Sequence, residues 1–493
     1  MSDADVTRKM ESFRTKVFYG IGSTAFGIKD NGFQTILLPF YQLVLHIPSQ
    51  LVGLAIAIAF IFDAFLDPIV GQFSDNLHSR WGRRHPLMYA AALPVALSYL
   101  LLWHPPHWSV MATFYYLIVV AIVVRTFITF FEIPNSALVA ELTSDYDQRT
   151  SFLSYRILFA WFGGLGMQVL ALVVFLTPTA TQPHGQLNEA GYGRYGLTSA
   201  IVMFAVILIS SYGTQRFIPW LRKPPVRKLT LLQYAREMLS TLNNRAFLIL
   251  MVAIVVFNFA TGLVFALNYY IVSFYWLLST QQIGAMAAAG IPTVIFSFLI
   301  GPPVSRAFGK LNGALLLFLV GFVIANVPIV FGLLGIFFHA GMPNLMWILM
   351  GFAVVSGSLT IGASILVTAM ITDVVEDSEL KTGRRNEGLF FAGNSFLAKA
   401  VTGLGVFGSG MLLWFADFPT AAVPGKVDPA IVHHFALVYL LVVCALYLTG
   451  VAIITRFPIT RATHNENLKR LAGEVAEANE PVAVAIERGD DHP

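Results

Sequence analysis

Residues 50–104 read QLVGLAIAIAFIFDAFLDPIVGQFSDNLHSRWGRRHPLMYAAALPVALSYLLLWH. Two apolar runs, 50–73 and 87–104, flank a short loop that carries Arg80, Arg83 and Arg84. Each run approaches the roughly 20 residues that a helix needs to cross about 30 Å of hydrocarbon. Asp63 and Asp67 sit inside the first run, where a charge without a partner is costly. The stretch reads as a membrane hairpin with a basic loop at one end and chemistry inside its first helix.

The same pattern continues in both directions. Apolar runs near 17–46, 50–73, 87–104, 109–140, 152–177, 195–218, 246–278, 282–308, 313–338, 343–372, 387–416 and 431–457 predict twelve membrane helices. Composition agrees: 56% of the 493 residues are hydrophobic and only 12% are charged, with a mean hydropathy of +0.70. A soluble chain carries about twice that share of charge. A single cysteine, Cys444, rules out a disulfide scaffold. The net charge of +4 lies in short clusters between apolar runs and not along one face, so no nucleic-acid partner is expected.

Lys and Arg fall on one side of the predicted spans. That side receives Arg14, Lys16, Arg80, Arg83, Arg84, Arg149, Arg156, Arg306, Lys310 and the basic stretch around 216–245, while the opposite loops hold Arg194 and Lys426. The positive-inside rule then places both termini in the cytoplasm. The expected organisation is a cytoplasmic N-terminus (1–15), a six-helix bundle (16–218), a cytoplasmic connector (219–245) with an amphipathic piece at LLQYAREMLSTL, a second six-helix bundle (246–457) and a cytoplasmic tail (458–493). A weak internal echo links GQFSDNLHSRWGRR after the second span with GPPVSRAFGKLNG after the eighth. Two such halves around a cavity is an architecture common to secondary carriers.

Charged residues inside the spans locate the chemistry. They are Asp30, Asp63, Asp67 and Glu132 against Lys29, Arg125 and Lys399, with Arg156 near the start of the fifth span. Asp63 and Asp67 are four apart and share one helix face, as do Thr129 and Glu132 at a spacing of three. Clustered carboxylates repel, and a bound Na⁺ or a shared proton relieves the repulsion. Oxygen ligands of this kind suit a hard cation. The alternative is that the acids form structural ion pairs with Lys399 and Arg125. No G-x-x-x-x-G-K-[ST] occurs, which argues against ATP as the energy source.

These residues fall in four elements: GIKDNGF, FDAFLDPIVGQFSDNLHSRWGRRHP, TFFEIPNSALVAELTSDYDQRTSFLSYR and DVVEDSELKTGRRNEGLFFAGNSFLAKAVTGLG. Over residues 16–457 the chain resembles the glycoside–pentoside–hexuronide:cation symporters of the major facilitator superfamily. That resemblance implies an all-α fold of twelve transmembrane helices in two six-helix bundles. It implies a carrier and not an enzyme, with no cofactor beyond a coupling Na⁺ or H⁺. It assigns the cation to Asp63, Asp67, Glu132 and Thr129, and a sugar or glycoside to Asp30, Glu132, Arg156 and Lys399. Arg149 resembles the family's loop arginine.

Three positions depart from the melibiose carrier: Leu66 stands for an Asn, Glu132 for an Asp and Ser136 for a Trp. They leave the coupling ion and the identity of the sugar open. A gating role is expected for Asp75, Arg80, Arg83, Arg84 and Arg149, with Asp373, Glu376 and Asp377 as partners for the arginines. Asn268, Tyr269 and Tyr270 offer hydrogen bonds and an aromatic face toward a cavity, while an interfacial aromatic belt is the expected place of Tyr269 or Tyr270. The chain is expected to be a monomer in the inner membrane, in contact with lipid. A lipid or lysolipid carrier of the same superfamily and a non-transporting membrane sensor are the alternatives.

Overall fold

A computed structural model describes residues 9–459 apart from 78, 144, 181, 222–243 and 383–386, together with a few positions between 463 and 470. Among the described residues it contains helices and no strands. The amphipathic piece of the connector, and the basic residues Arg222, Lys223, Arg227, Lys228, Arg236, Arg384 and Arg385, lie outside the described residues.

The first helix, α1, runs from Phe13 to Val44 in pieces: Phe13–Ile21, Ser23–Asn31, a π-helical turn Gly32–Ile36, Leu37–Pro39 and a second π-helical turn Phe40–Val44. The N-terminal half continues with α2 (Ser49–Asn76), α3 (His85–Leu102), α4 (Val110–Leu142), α5 (Tyr146–Leu170, extended by a π-helical turn Ala171–Phe175) and α6 (Glu189–Gln215). The C-terminal half holds α7 (Arg245–Tyr270, extended by Ile271–Tyr275), α8 (Thr280–Ala288 and Gly290–Phe308), α9 (Lys310–Leu333), α10 (Leu345–Thr382), α11 (Glu387–Phe415) and α12 (Pro429–Ile454). Eleven of these meet the length and apolarity needed to cross a membrane. The interrupted α1 is the twelfth, so the expected number of spans is found.

Polar residues at the helix starts satisfy backbone N–H groups that have no partner within the helix. Asp145 accepts from the amide of Gln148 at α5, Asn188 from Gly191 at α6, and Asp428 from Ala430 at α12. Ser279 and Gln282 form a reciprocal capping box at α8.

The two halves share a terminal construction. At the end of α1, the π-helical turn Phe40–Val44 is followed by His46 with a positive φ of 58°, and the Ile47 amide donates to the Tyr41 carbonyl at 3.0 Å. At the end of α7, the turn Ile271–Tyr275 is followed by Leu277 with φ 53°, and the Leu278 amide donates to the Val272 carbonyl at 3.0 Å. The ends of α1 and α7 thus share one closure, at places other than the two loops that carry the echo in sequence.

Close helix contacts rest on small residues, as is usual in membranes. A Cβ on Gly27 of α1 would lie 2.0 Å from the Ala160 carbonyl oxygen of α5. One on Gly403 of α11 would lie 2.4 Å from Phe60 Cβ of α2. These contacts bring the charged turns of α1 and α5, and of α2 and α11, within reach of each other.

The halves meet on the side away from the chain termini. There Ser49 Oγ donates to the Gly410 carbonyl at 2.9 Å, and the Tyr270 hydroxyl donates to Gln42. Tyr269 and Tyr270 are buried. They join this seal and do not form an interfacial belt, because each half covers the rings of the other. Toward the terminal side contact between α2 and α11 reaches Phe65 and Phe396, whose rings meet edge to face at 5.1 Å. Beyond it Ile69 and Phe73 of α2, and Ile157 and Leu158 of α5, are exposed. With the far side sealed, the 40% exposure of Asp30 at mid-helix requires access from the side of the termini.

Candidate functional site

All eight charges singled out within the spans form one ion-pair network at mid-depth. It has two layers. In the sealed inner layer, Arg125 Nη2 lies 3.0 Å from Asp63 Oδ2, and Thr129 Oγ1 donates to Asp63 Oδ1 at 2.7 Å. The Arg125 guanidinium also stacks 3.6 Å above the centre of the Phe60 ring, a favourable cation–π arrangement. Lys29 is buried, 2.9 Å from Asp30 and 3.6 Å from Glu132.

The outer layer borders the opening. Asp30 is 40% exposed despite its mid-helix position, and Arg156 and Lys399 are each 23% exposed. Arg156 Nη2 lies 3.7 Å from Glu132 Oε1 and its guanidinium lies over the ring of Phe26. Lys399 Nζ donates to Asp67 Oδ2 at 2.6 Å and lies 3.6 Å from Asp63 Oδ2. Lys399 is thus the bridge between the two aspartates of α2.

Charges this close interact by about 4 kcal/mol even at an effective dielectric of 20. Removing one partner of a buried pair costs about 3–5 kcal/mol, since the other is left uncompensated. The network therefore fixes the relative positions of α1, α2, α4, α5 and α11. Asp67 Oδ1 and Glu132 Oε2 are buried oxygens without a hydrogen-bond donor among the described residues. Beside them, the exposed edge of Asp30 and the Arg156 guanidinium give the floor of the opening both an acceptor and donors. Such a floor suits a ligand rich in hydroxyl groups, which both donate and accept.

Asp63 and Thr129 meet directly, while Asp67 joins them through Lys399. Glu132 pairs with Lys29 and Arg156. The ion pairs to Lys399 and Arg125 that the sequence offers as a structural alternative are present. Lys29 carries no expected role at the site in the sequence, and Arg125 only that of a structural partner. The signal for Arg125 lies in spacing: Arg125, Thr129 and Glu132 are four and three residues apart, on one face of α4.

The gating residues divide between the halves. Arg84 bonds Ser74 and Glu141 and pairs with Asp75, and Arg83 lies 2.9 Å from Glu141. Among the described residues these arginines and the acids of α10 have other partners in this state. Asp373 pairs with Lys310 and His464, Glu376 with His464, and Asp377 accepts from Asn244 at 3.1 Å. The arginines pair with Ser74, Asp75 and Glu141, and the acids with Lys310, Asn244 and His464. Arg80 and Arg149 are exposed.

Known proteins share this architecture. A family model described as MFS/sugar transport protein matches residues 18–461. An uncharacterized symporter of Synechocystis is 27% identical across 93% of this chain and 96% of its own length. The isoprimeverose transporter of Lactiplantibacillus pentosus is 23% identical, covering 83% of this chain and 81% of its own. Among solved structures, a point mutant of the nucleoside transporter NupG superposes with a TM-score of 0.62 at 13% identity, over 90% of this chain and 99% of its own. At that identity the likeness establishes the fold alone. A multi-pass membrane chain of twelve helices, sealed on one side of a charged mid-depth site, is a transporter and not an enzyme, and it belongs to the MFS/sugar transport protein family.

Proposed function

We propose that the protein is a cation-coupled symporter of a glycoside or related sugar, working by alternating access. The observation that carries this reading is the cluster of Asp30, Glu132 and Arg156, with side chains 40%, 12% and 23% exposed, in a helix bundle that is sealed on the far side. Carboxylates accept from sugar hydroxyls and the guanidinium donates to them, so one ligand bridges α1, α4 and α5. Symporters and an isoprimeverose transporter among the relatives support the cargo class and the coupling. Cation occupancy among Asp63, Asp67, Thr129 and Glu132 and sugar binding beside Glu132 share a residue. By linkage each ligand then raises the affinity of the other equally.

The excess of Lys and Arg at the terminal side supports cytoplasmic termini, and so an inward-facing state here. We assign residues 16–218 and 246–457 to the two rocking bundles and 219–245 to their cytoplasmic connector. We assign the arginines after α2 and the acids of α10 to a gate that pairs when that side closes. The protein is assigned to the inner membrane as a monomer surrounded by lipid.

Reconstitution in proteoliposomes tests this reading. Labelled isoprimeverose and other labelled glycosides are offered under an imposed Na⁺ or proton gradient, and accumulation above the external concentration is expected. Binding without accumulation would identify a sensor. Failure with every glycoside, together with movement of a labelled lysolipid, would identify a lipid carrier.

A further inference from the structure

The resemblance to cation symporters puts a coupling cation, Na⁺ or H⁺, among Asp63, Asp67, Thr129 and Glu132, and the geometry around Asp63 does not fit Na⁺. We infer that the Arg125 guanidinium is a built-in cation that takes the place of Na⁺ at Asp63, so that the carrier does not use Na⁺. This rests on the symport reading and concerns which ion that symport excludes.

Three observations carry it. First, the oxygens of Asp63 are already engaged. Oδ2 faces Arg125 Nη2 at 3.0 Å and Lys399 Nζ at 3.6 Å, and Oδ1 accepts the Thr129 hydroxyl at 2.7 Å. A sodium ion here would compete for these oxygens and sit against two positive charges, of which that of Arg125 belongs to the same half as Asp63. Second, the network is electroneutral without any added ion. Asp30, Asp63, Asp67 and Glu132 balance Lys29, Arg125, Arg156 and Lys399, all joined by contacts of 3.8 Å or less. An added Na⁺ would be an uncompensated charge beside side chains that exclude water.

Third, the Arg125–Asp63 pair lies within one half of the molecule. Both residues are almost wholly buried, and the guanidinium is held between Asp63 and the rings of Phe60 and Phe33. Lys399 belongs to the other half, so rocking of the bundles can withdraw it from Asp63 and Asp67. The same motion leaves Arg125 in place. Release of Lys399 therefore does not open Asp63 to Na⁺ in either access state.

Purified protein melted in NaCl, LiCl and choline chloride at one ionic strength and one pH tests this without any sugar. The wild type is expected to melt at the same temperature in all three. Arg125→Lys, which keeps the charge, should remain insensitive. Arg125→Leu should acquire a saturable rise in melting temperature specific to Na⁺ or Li⁺, because a ligand that binds the folded state stabilises it. A saturable Na⁺ effect on the wild type that Asp63→Asn removes would overturn the inference, as would a folded Arg125→Leu that stays insensitive. If Arg125→Leu does not fold, the wild-type melting series decides alone. Accumulation in proteoliposomes separates the two readings: failure under every ion gradient defeats symport and leaves the melting result untouched.

Discussion

The two halves repeat the same helix order and the same closure at the ends of α1 and α7, yet they divide the chemistry unequally. Among the described residues, the N-terminal half supplies Lys29, Asp30, Asp63, Asp67, Arg125, Glu132 and Arg156 to the network, while the C-terminal half supplies Lys399 alone. A site distributed evenly would be torn apart each time the halves rock. Concentrating it on one half keeps the binding geometry constant while a single ionic link crosses the moving boundary. That link, Lys399 to Asp67 and Asp63, can report to one half what the other has bound.

The sharpest way to break this asymmetry is to remove its one crossing charge. Lys399→Ala leaves Asp67 without its ammonium partner and Asp63 with Arg125 only, at a cost of about 3–5 kcal/mol. Loss of transport and a lowered melting temperature are expected from uptake and thermal-shift measurements. Wild-type transport in that variant would show that the halves communicate elsewhere.

Next in size is Arg156→Ala, which tests the N-terminal half as the binding half. Hydrogen bonds to charged groups contribute about 1.5–3 kcal/mol. Affinity for a glycoside that stabilises the wild type should therefore fall about ten- to a hundredfold, with the protein still folded and inserted. Equilibrium binding on purified protein reads this, and an unchanged affinity would remove Arg156 from the site.

A smaller effect is expected at the far seal, where the halves meet through neutral groups. Tyr270→Phe deletes the hydroxyl bond to Gln42 and costs about 1 kcal/mol of the sealed state. Cysteine accessibility of the far-side ends of α1 and α7 should rise about fivefold, with little change in melting temperature. An unaltered accessibility would mean that packing of the rings alone keeps this side shut.

Sequence and structure agree most where hydrophobicity alone decides. The run 87–104 corresponds to His85–Leu102, and 387–416 to Glu387–Phe415. They differ where a helix leaves the hydrocarbon. Hydropathy ends the tenth span near 372, but α10 continues to Thr382 through DVVEDSEL, because hydropathy marks the membrane and not the end of backbone hydrogen bonding. α5 starts at Tyr146 and not near 152, since Asp145 caps it. At the site, the eight charges are legible as a set that has to find partners. Which base meets which acid is not, since that depends on crossings such as Gly27 against Ala160 and Gly403 against Phe60. Burial of Tyr270 is hidden from the sequence for the same reason: an aromatic at a span end looks interfacial until the opposite half covers it.

The central claim is that the N-terminal carboxylates couple cation movement to cargo movement. The most direct measurement compares exchange with uphill accumulation of one labelled glycoside, in the same proteoliposomes, for wild type and Asp67→Asn. The substitution keeps shape, and Lys399 retains Asp63 at 3.6 Å as a partner, so the protein should fold. Exchange is predicted to persist, because Asp30, Glu132 and Arg156 are untouched, while uphill accumulation is lost. Full accumulation by Asp67→Asn at the wild-type melting temperature would contradict the account.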